Sequence, residues 1–382
     1  MTIPTTPQTP YPAYTEAVLA QAADYGVLKQ LEGTWVNYNP TNSSTGWGLH
    51  TTCMPSPGTN SETIFGIFHF LCEDYTEELT FNLVDGGVRN RGGANEEFVG
   101  AMLYNQSIQR VSDGAGIHRE DGMYLWCNQM YNHPADEQSV LEDNGYPGIG
   151  IGAGANGPNF VPPYSIARSG TIPHGSSIML TGDFQVVDQG KPEFPSGAAA
   201  WQPPFLSISP SMGSAGATPS NPLNLDQPAP AWAHDKSLPV TDPDGNRTYT
   251  QRIVADSHYP YSVRPDLRLR DAIKGQNIIG YTLIELSSKH DGGPQGGILN
   301  IPFVKRFANV TEVNFSMWIE TVVEDGQEVL QLQYRQIIFF DFMFGSDGGT
   351  TRWPHIQINT LRKKPSDGLS THAQKLFSFR KS

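Results

Sequence analysis

Three histidines and one arginine are the residues of this sequence whose settings indicate chemistry. His118, His174 and His355 lie in segments rich in apolar residues, and Arg168 comes shortly before His174. An imidazole titrates near neutral pH, transfers protons and binds metal ions. A histidine in an apolar strand is also commonly a hydrogen-bonded core residue, so each histidine keeps a structural role as its alternative. These residues are the candidate site residues.

Two other patterns have spacings that could carry chemistry, and both are weak matches. The run "GIGIGAGANGPN" contains a G-x-G-x-x-G spacing, but prolines follow it where a dinucleotide site needs a helix. The segments "LHTTC" and "FHFLC" repeat an H-x-x-C spacing. Both lie in strand-like segments, where residues three apart point to opposite faces and cannot chelate one ion. We interpret the first as a loop and the second as strand residues.

The elements that must position the histidines are mainly β-strands. The sequence has 39 glycines, 30 prolines and 10% aromatic residues, and strand-like segments recur at short intervals between turn residues. This spacing is typical of a closed barrel or a sandwich. We predict a mainly β fold, an antiparallel up-and-down barrel of about ten to twelve strands with short helices.

The chain is predicted to form a single domain, residues 1–382, with one long insertion. The insertion is rich in proline, glycine, serine and alanine, and it has few strand patterns. In chain order we predict an N-terminal helix (14–30), the first part of the barrel (31–185), the loop insertion (186–262), a helix (264–276), the second part of the barrel (278–364) and a C-terminal tail (365–382).

The clearest hairpin flanks the segment "EDGQ" near the C-terminus, because Asp-Gly is a strong turn signal. Its first arm alternates apolar and mostly polar residues, so one face is predicted to look into the barrel and the other toward water. The inward residues are Val313, Phe315, Met317 and Ile319. The residues predicted to face water are Asn314, Ser316, Trp318 and Glu320.

The charge and the hydropathy of the chain argue against nucleic acid and membranes as partners. The 25 basic residues stand against 38 acidic ones, and the net charge is −13, so no basic surface is expected for nucleic acid. No run of 18 apolar residues is present that could span a membrane. The N-terminus lacks the features of a signal peptide, which predicts a cytoplasmic protein. A homo-oligomer is left open.

Both ends of the predicted barrel resemble a known family. "LKQLEGTW" at 28–35 is similar to the L-x-G-T-W opening of the nitrobindin-like heme barrels, which are shaped like fatty-acid-binding proteins. His355, the apolar residues after it and "LRKK" are similar to the last strand of that family. Phrases such as "IPHG" at 172–175, "AIKGQNI" at 272–278 and "MWIETV" at 317–322 resemble the larger heme-binding proteins of this type.

The resemblance implies a calycin or lipocalin-like barrel that binds heme b, with His355 as the axial ligand of the iron. The heme would be noncovalent, because the C-x-x-C-H attachment motif is absent. Such a protein could act as a peroxidase or other oxidoreductase, or as an isomerase, on peroxide, nitrogen oxides or an organic substrate. The alternative is a heme-free carrier, or a cofactor-independent enzyme, for an apolar small metabolite.

His174 is the first candidate for a catalytic group opposite the iron, because it follows Pro173 in a predicted turn at the barrel rim. Arg168 could supply a positive charge to a developing peroxide anion. His118 is the second candidate, although "IHREDG" resembles the solvated end of a hairpin. The alternative for His174 is a purely structural role in its turn.

Overall fold

A computed structural model of the chain shows one large antiparallel β-sheet. The model describes residues 25–38, 46–55, 68–85, 88–89, 98–127, 164–194, 257–262, 264–289, 296–344 and 349–364. Within these ranges, 13 strands belong to one sheet. None of the helices in the same ranges is long and apolar enough to cross a membrane.

The strands fall into two blocks along the chain, separated by the predicted insertion. The first block holds β1 (Gly33–Asn37), β2 (Gly48–Pro55), β3 (Phe68–Leu83), β4 (Val88–Arg89), β5 (Phe98–Arg110), β6 (Gly116–Trp126), β7 (Ile166–Ile172) and β8 (Ser176–Val187). The second block holds β9 (Ile278–Ser287), β10 (Gly297–Asn300), β11 (Ala308–Glu324), β12 (Gln327–Phe344) and β13 (Gly349–Lys363). Helices α1 (Asp266–Ala272) and α2 (Pro302–Phe307) accompany the second block.

The sheet closes on itself because β3 pairs with strands on both of its sides. It pairs with β5 along one edge, and with β1 and β2 along the other. β1 pairs with residues 361–363 of β13 and β2 with residues 356–358, so the two short strands follow one another along the same edge of β13 and share one position in the wall. The result is a closed 10-strand antiparallel barrel, which confirms the predicted calycin-like fold and its strand number.

The hairpin of β11 and β12 turns at Asp325 and Gly326, as predicted. Both residues have positive φ, 50° and 76°, which is the backbone conformation that an Asp-Gly hairpin turn needs. The two strands pair from Glu324 and Gln327 outward with one irregularity, between Val310 and Glu312. This hairpin supplies two of the longest strands of the barrel wall.

One end of the interior is filled by apolar side chains, and we call it the packed end. A 3₁₀ helix, Gly26–Leu31, buries Leu28 and Leu31 there together with Trp35. The indole of Trp35 donates a hydrogen bond of 2.7 Å to the Leu31 carbonyl, so the helix and the first strand are held together. Of the predicted helix over 14–30, residues 14–24 lie outside the described residues, and the described part is 3₁₀ and not α-helical.

Other parts of the chain pack against the outward face of β11, which the strand pattern did not indicate. Ser316, Trp318 and Glu320 were predicted to face water, and this prediction is wrong because all of them are buried. The Trp318 ring packs against Phe194 at 5.0 Å, and it belongs to a second apolar cluster that includes residues of α1. The chain around the insertion therefore buries one side of the barrel from outside.

Helix α1 lies within the predicted range 264–276, with Pro265 before its first residue and Gly275 after its end at a φ of +81°. Residues 186 and 187 of the predicted insertion belong to β8, so its predicted start is two residues too early. The other described flanks, 188–194 and 257–262, are consistent with loops. The Thr51 hydroxyl donates to the Ser262 carbonyl at 2.9 Å, which attaches one flank to β2. The rest of the predicted insertion lies outside the described residues.

Candidate functional site

His355 lies on β13 with its side chain inside the barrel. Its partner on β12 is Ile338, which belongs to the interior apolar cluster, and directly paired residues share one face of a sheet. Its ring stacks on Phe340 at 6.1 Å and meets His50 edge-on at 5.3 Å. The residue as a whole is half-buried, but its Nε2 atom is buried and has no hydrogen-bond partner among the described residues. This nitrogen is available to a ligand.

The surroundings keep the His355 ring neutral. Burial is the largest cause of a pKa well below the ordinary value of 6.5, and charge on His50, His118 or His174 lowers the pKa further. A neutral imidazole has one nitrogen with an unshared electron pair, which is the form that binds metal ions. The ring is therefore in its metal-binding form at neutral pH.

The other two predicted histidines lie side by side, with ring centroids 5.7 Å apart. His118 projects from β6 with a side chain that is 7% exposed. His174 lies in the turn between β7 and β8 and is exposed; burial of its ring and the charge of His118 lower its pKa, and a hydrogen bond to the Ile117 backbone opposes this. The structure thus brings His118, His174 and His355 to one end of the barrel, which we call the histidine end.

The interpretation of "IHREDG" as a hairpin end is wrong. His118 and Glu120 lie within β6, and the hairpin turns earlier, at residues 111–115. The alternation of a strand sends these two side chains into the barrel, while Arg119 and Asp121 point outward. The exposed charges of Arg119 and Asp121 are the reason that the sequence of this segment resembles a solvated turn.

His50 also lies at the histidine end, and the sequence did not single it out for this position. It projects from β2 and is 7% exposed. Its Nε2 lies 3.2 Å from a carboxylate oxygen of Glu73, whose other oxygen lies 3.0 Å from Nε of Arg110. The contact with His50, followed by the charges of His50 and Arg110, lowers the pKa of Glu73 against the effect of burial. An acidic partner therefore holds His50 beside His355.

Arg168 is buried deeper in the interior, in a group that we call the Glu120 cluster: Tyr104, Glu120, Arg168 and Gln336. Its guanidinium donates to Glu120 Oε1 at 2.8 Å, to the Tyr104 hydroxyl at 3.1 Å and to Gln336 Oε1 at 2.9 Å. The Phe315 ring lies 4.4 Å from the guanidinium carbon. Arg168 is 3% exposed and Glu120 is fully buried, so this is an ion pair shielded from water.

Glu120 is a permanent carboxylate in this cluster. Burial is the largest influence and would raise its pKa, but the charge of Arg168 and the interactions with His118 and Tyr104 together lower the pKa to about 2. The Tyr104 hydroxyl donates to Glu120 Oε1, and His118 Nε2 lies 3.4 Å from Glu120 Oε2. The carboxylate therefore joins Arg168 in the middle of the barrel to His118 at the histidine end.

Glycines on the neighbouring strands leave the space that the Glu120 cluster occupies. A Cβ atom on Gly170 would overlap Glu120 Oε1 and the Tyr104 hydroxyl, and one on Gly122 would overlap the Tyr104 ring. These polar groups are buried and bonded to one another, so they cannot easily move aside. A small residue is required at Gly170 because of the cluster, and at Gly122 because of the Ser169 carbonyl as well as the Tyr104 ring.

We expect Gly170→Ala to lower the free energy of unfolding by about 1–3 kcal/mol, the usual effect of an overpacked interior. Chemical denaturation followed by circular dichroism measures this difference. Gly116→Ala is the matched control on β6, because nothing lies within 4 Å of a Cβ atom there. Equal stability of the two variants would contradict a tightly packed cluster.

A second polar group, the Glu77 cluster, lies in the same interior: Tyr75, Glu77, Gln106, Tyr334 and Asn359. Glu77 accepts hydrogen bonds from Gln106 at 2.6 Å, Tyr334 at 2.7 Å and Asn359 at 2.8 Å. Burial raises its pKa despite these bonds. Fixed donors occupy both carboxylate oxygens of Glu77, so we assign this cluster a structural role in the interior. The histidine end therefore stays the candidate site.

No cluster of three or more histidine, cysteine, aspartate or glutamate side chains in the described ranges could hold a metal ion by itself. A metal at the histidine end would need ligands from a cofactor as well as from His355.

A cavity of about 470 Å³ lies on the outer wall, between β7, β8 and β10, and Thr171, Met179 and Leu299 are among its lining residues. It is not lined by any of the histidines.

Comparisons with known proteins add a distant structural neighbour. No family model matches this chain, and no curated protein matches it. Among solved structures, the crystal structure of Rv2717c from M. tuberculosis aligns with 88% of this chain and 95% of its own, with a TM-score of 0.31 and 12% identity.

Proposed function

We propose that the protein binds heme b noncovalently at the histidine end of the barrel, with Nε2 of His355 as the axial ligand of the iron. One observation carries the proposal: this nitrogen is buried, and it has no partner among the described residues. A buried polar atom without a partner requires an explanation, and a bound ligand, ion or water is one. The ring is neutral, and in the tautomer with hydrogen on Nδ1 the Nε2 atom has the electron pair that iron requires.

Two apolar side chains next to His355 support the proposal. The Phe340 ring and the apolar Ile338 offer surfaces of the kind that porphyrin faces contact. His50 packs edge-on against His355 and restricts the orientation of its ring. When bound, heme would supply an iron atom able to bind diatomic gases or peroxides.

The test adds hemin to the purified full-length protein and records the Soret band. We expect the wild type to develop a Soret band with one heme per chain, and His355→Ala to lose it while its circular dichroism stays unchanged. The variant keeps the fold because it removes the iron ligand but little buried apolar surface. The matched control is His258→Ala. His258 lies 3.4 Å from Asp74 on the outer wall, so this variant should bind heme like the wild type.

An unchanged Soret band in His355→Ala would move the ligand to another residue and overturn this assignment. A wild type that develops no Soret band would overturn heme binding itself. In that case the heme-free alternative, a barrel for an apolar small metabolite, would remain as the function to test.

A further inference from the structure

The contact between His118 and Glu120 determines which nitrogen of His118 carries a proton. Nε2 of His118 lies 3.4 Å from Glu120 Oε2, and the two side chains are 7% and 0% exposed. A carboxylate only accepts hydrogen bonds, so the nitrogen facing it must carry the hydrogen. In the neutral ring, Nδ1 then has the unshared electron pair.

Glu120 holds this orientation because its own position is fixed. Its Oε1 accepts hydrogen bonds from Arg168 and from the Tyr104 hydroxyl, and these two buried donors fix the carboxylate. Nδ1 of His118 points the other way along the ring, and among the described residues no hydrogen bond reaches it. His118 therefore presents a base whose opposite side is anchored by a buried carboxylate.

His174 lacks this arrangement. Its ring lies near the Ile117 backbone, and in the described part of the chain no carboxylate contacts it. It is also exposed, whereas the side chain of His118 is 7% exposed. A base works best where a fixed anion stabilises its protonated form and water is excluded. Of the two adjacent histidines, His118 is the one whose ring a buried carboxylate orients.

We infer that Glu120 is a positioning residue that makes His118 the proton acceptor for a hydroperoxide, either hydrogen peroxide or an organic one, entering the histidine end. The O–H proton moves to Nδ1, which leaves a hydroperoxide anion and a His118 imidazolium. The imidazolium is stabilised by Glu120, whose other oxygen is held in place by Arg168. This inference rests on the proposed heme site for the reaction that follows deprotonation.

The first test does not depend on heme. Long-range proton–nitrogen correlation spectra of the full-length apoprotein, labelled with ¹⁵N-histidine, report the tautomer of each histidine, and His118→Gln assigns its signal. We expect His118 to have hydrogen on Nε2 and a bare Nδ1. The double variant Glu120→Gln/Arg168→Gln, which removes both charges together and avoids an unpaired buried ion, should lose this preference. Glu77→Gln removes a buried carboxylate that does not touch His118 and should keep it.

The second test measures peroxide-dependent oxidation of a generic electron donor at matched heme content. We expect His118→Gln to lower the rate by about 100-fold, as for loss of a general base, and His174→Ala to lower it by less than about threefold. A hydrogen on Nδ1 of His118, or equal rates in His118→Gln and wild type, would overturn the inference. Because the Soret band is measured separately in each variant, failure of heme binding is distinguished from failure of the proton acceptor.

Discussion

Arg168→Met should lower the free energy of unfolding by about 3–5 kcal/mol, the usual effect of removing one partner of a buried ion pair. Methionine fills much of the arginine volume, so lost packing is a minor contribution. The main effect is that Glu120, which is fully buried, loses the cation 2.8 Å away from its Oε1 atom. Urea denaturation at pH 7 gives the free energy difference.

The matched control is Arg110→Met, because Arg110 also pairs with carboxylates but is 31% exposed. Arg110 and its partner Glu73 are partly exposed, at 31% and 24%, and solvent weakens such a pair, so this variant should lose much less stability than Arg168→Met. The double variant Arg168→Met/Glu120→Gln should recover a large part of the lost stability because no unpaired charge remains. A loss below about 1 kcal/mol in Arg168→Met would contradict a water-shielded ion pair.

The same ion pair has a pH signature. The pKa of Glu120 is about 2 in the folded protein and 4.5 for an ordinary glutamate, so the folded pKa is the lower one. The contribution of ionised Glu120 to the free energy of unfolding is therefore present above about pH 4.5 and is lost as the pH falls toward 2. In Arg168→Met this loss on acidification should be smaller, because the carboxylate no longer has its main cationic partner.

The sequence predicted the barrel because its strands are regular and its turns are explicit. The Asp325–Gly326 turn needs positive φ at both residues, and the residue pair that tolerates this best stands there. Val313, Phe315, Met317 and Ile319 alternate along one strand, and all of them are buried in the interior cluster. Local backbone preferences and a period of two are properties of short segments, so a single sequence reveals them.

The polar interior could not be predicted in the same way, because its partners are far apart in the chain. Glu120 meets Arg168 48 positions later, and it meets His118 through the alternation of β6. In the sequence, Glu120 stands between Arg119 and Asp121, which face outward. A signal was present, since His118, Glu120 and Tyr124 share one face of a strand. Only the pairing of β6 with β7 shows that this face meets an arginine.

His50 and His355 show the same limit at the histidine end. Their rings are 5.3 Å apart because β2 pairs with β13, and that pairing closes the barrel between the first and last parts of the chain. The outer cover over Trp318 is a further case, because Phe194 and α1 reach it from other parts of the chain. Contacts made by closing a barrel depend on strand order, which the period of a strand does not encode.

Glu320 occupies an unusual position for a carboxylate. It lies on the outward face of β11, fully buried, and accepts one hydrogen bond of 2.6 Å from Gln331. Its other oxygen has no partner among the described residues. Burial raises its pKa to about 8, although the bond from Gln331 and the charge of Arg362 oppose this. The folded protein therefore holds Glu320 in its protonated form at neutral pH.

We expect the free energy of unfolding of the wild type to fall as the pH rises from acidic to alkaline. Glu320→Gln should abolish this fall. The folded pKa of about 8 lies above the ordinary value of 4.5, so the stabilising effect of the bound proton is full below pH 4.5 and is lost as the pH rises through 8. The difference between the two pKa values corresponds to a change on the order of 4–5 kcal/mol. Glutamine resembles the protonated acid in shape and does not titrate, so the variant should be the more stable protein at pH 9.

Denaturation curves of both proteins between pH 5 and pH 9 measure this difference. The matched control is Glu324→Gln, which removes a carboxylate from the same strand at a position that is 41% exposed and paired with Arg362. That variant keeps Glu320 and should keep the alkaline loss. If wild type and Glu320→Gln lose stability equally between pH 5 and pH 9, Glu320 does not hold a proton in the folded state, and the cover formed by α1 and Phe194 must admit water to the β11 wall.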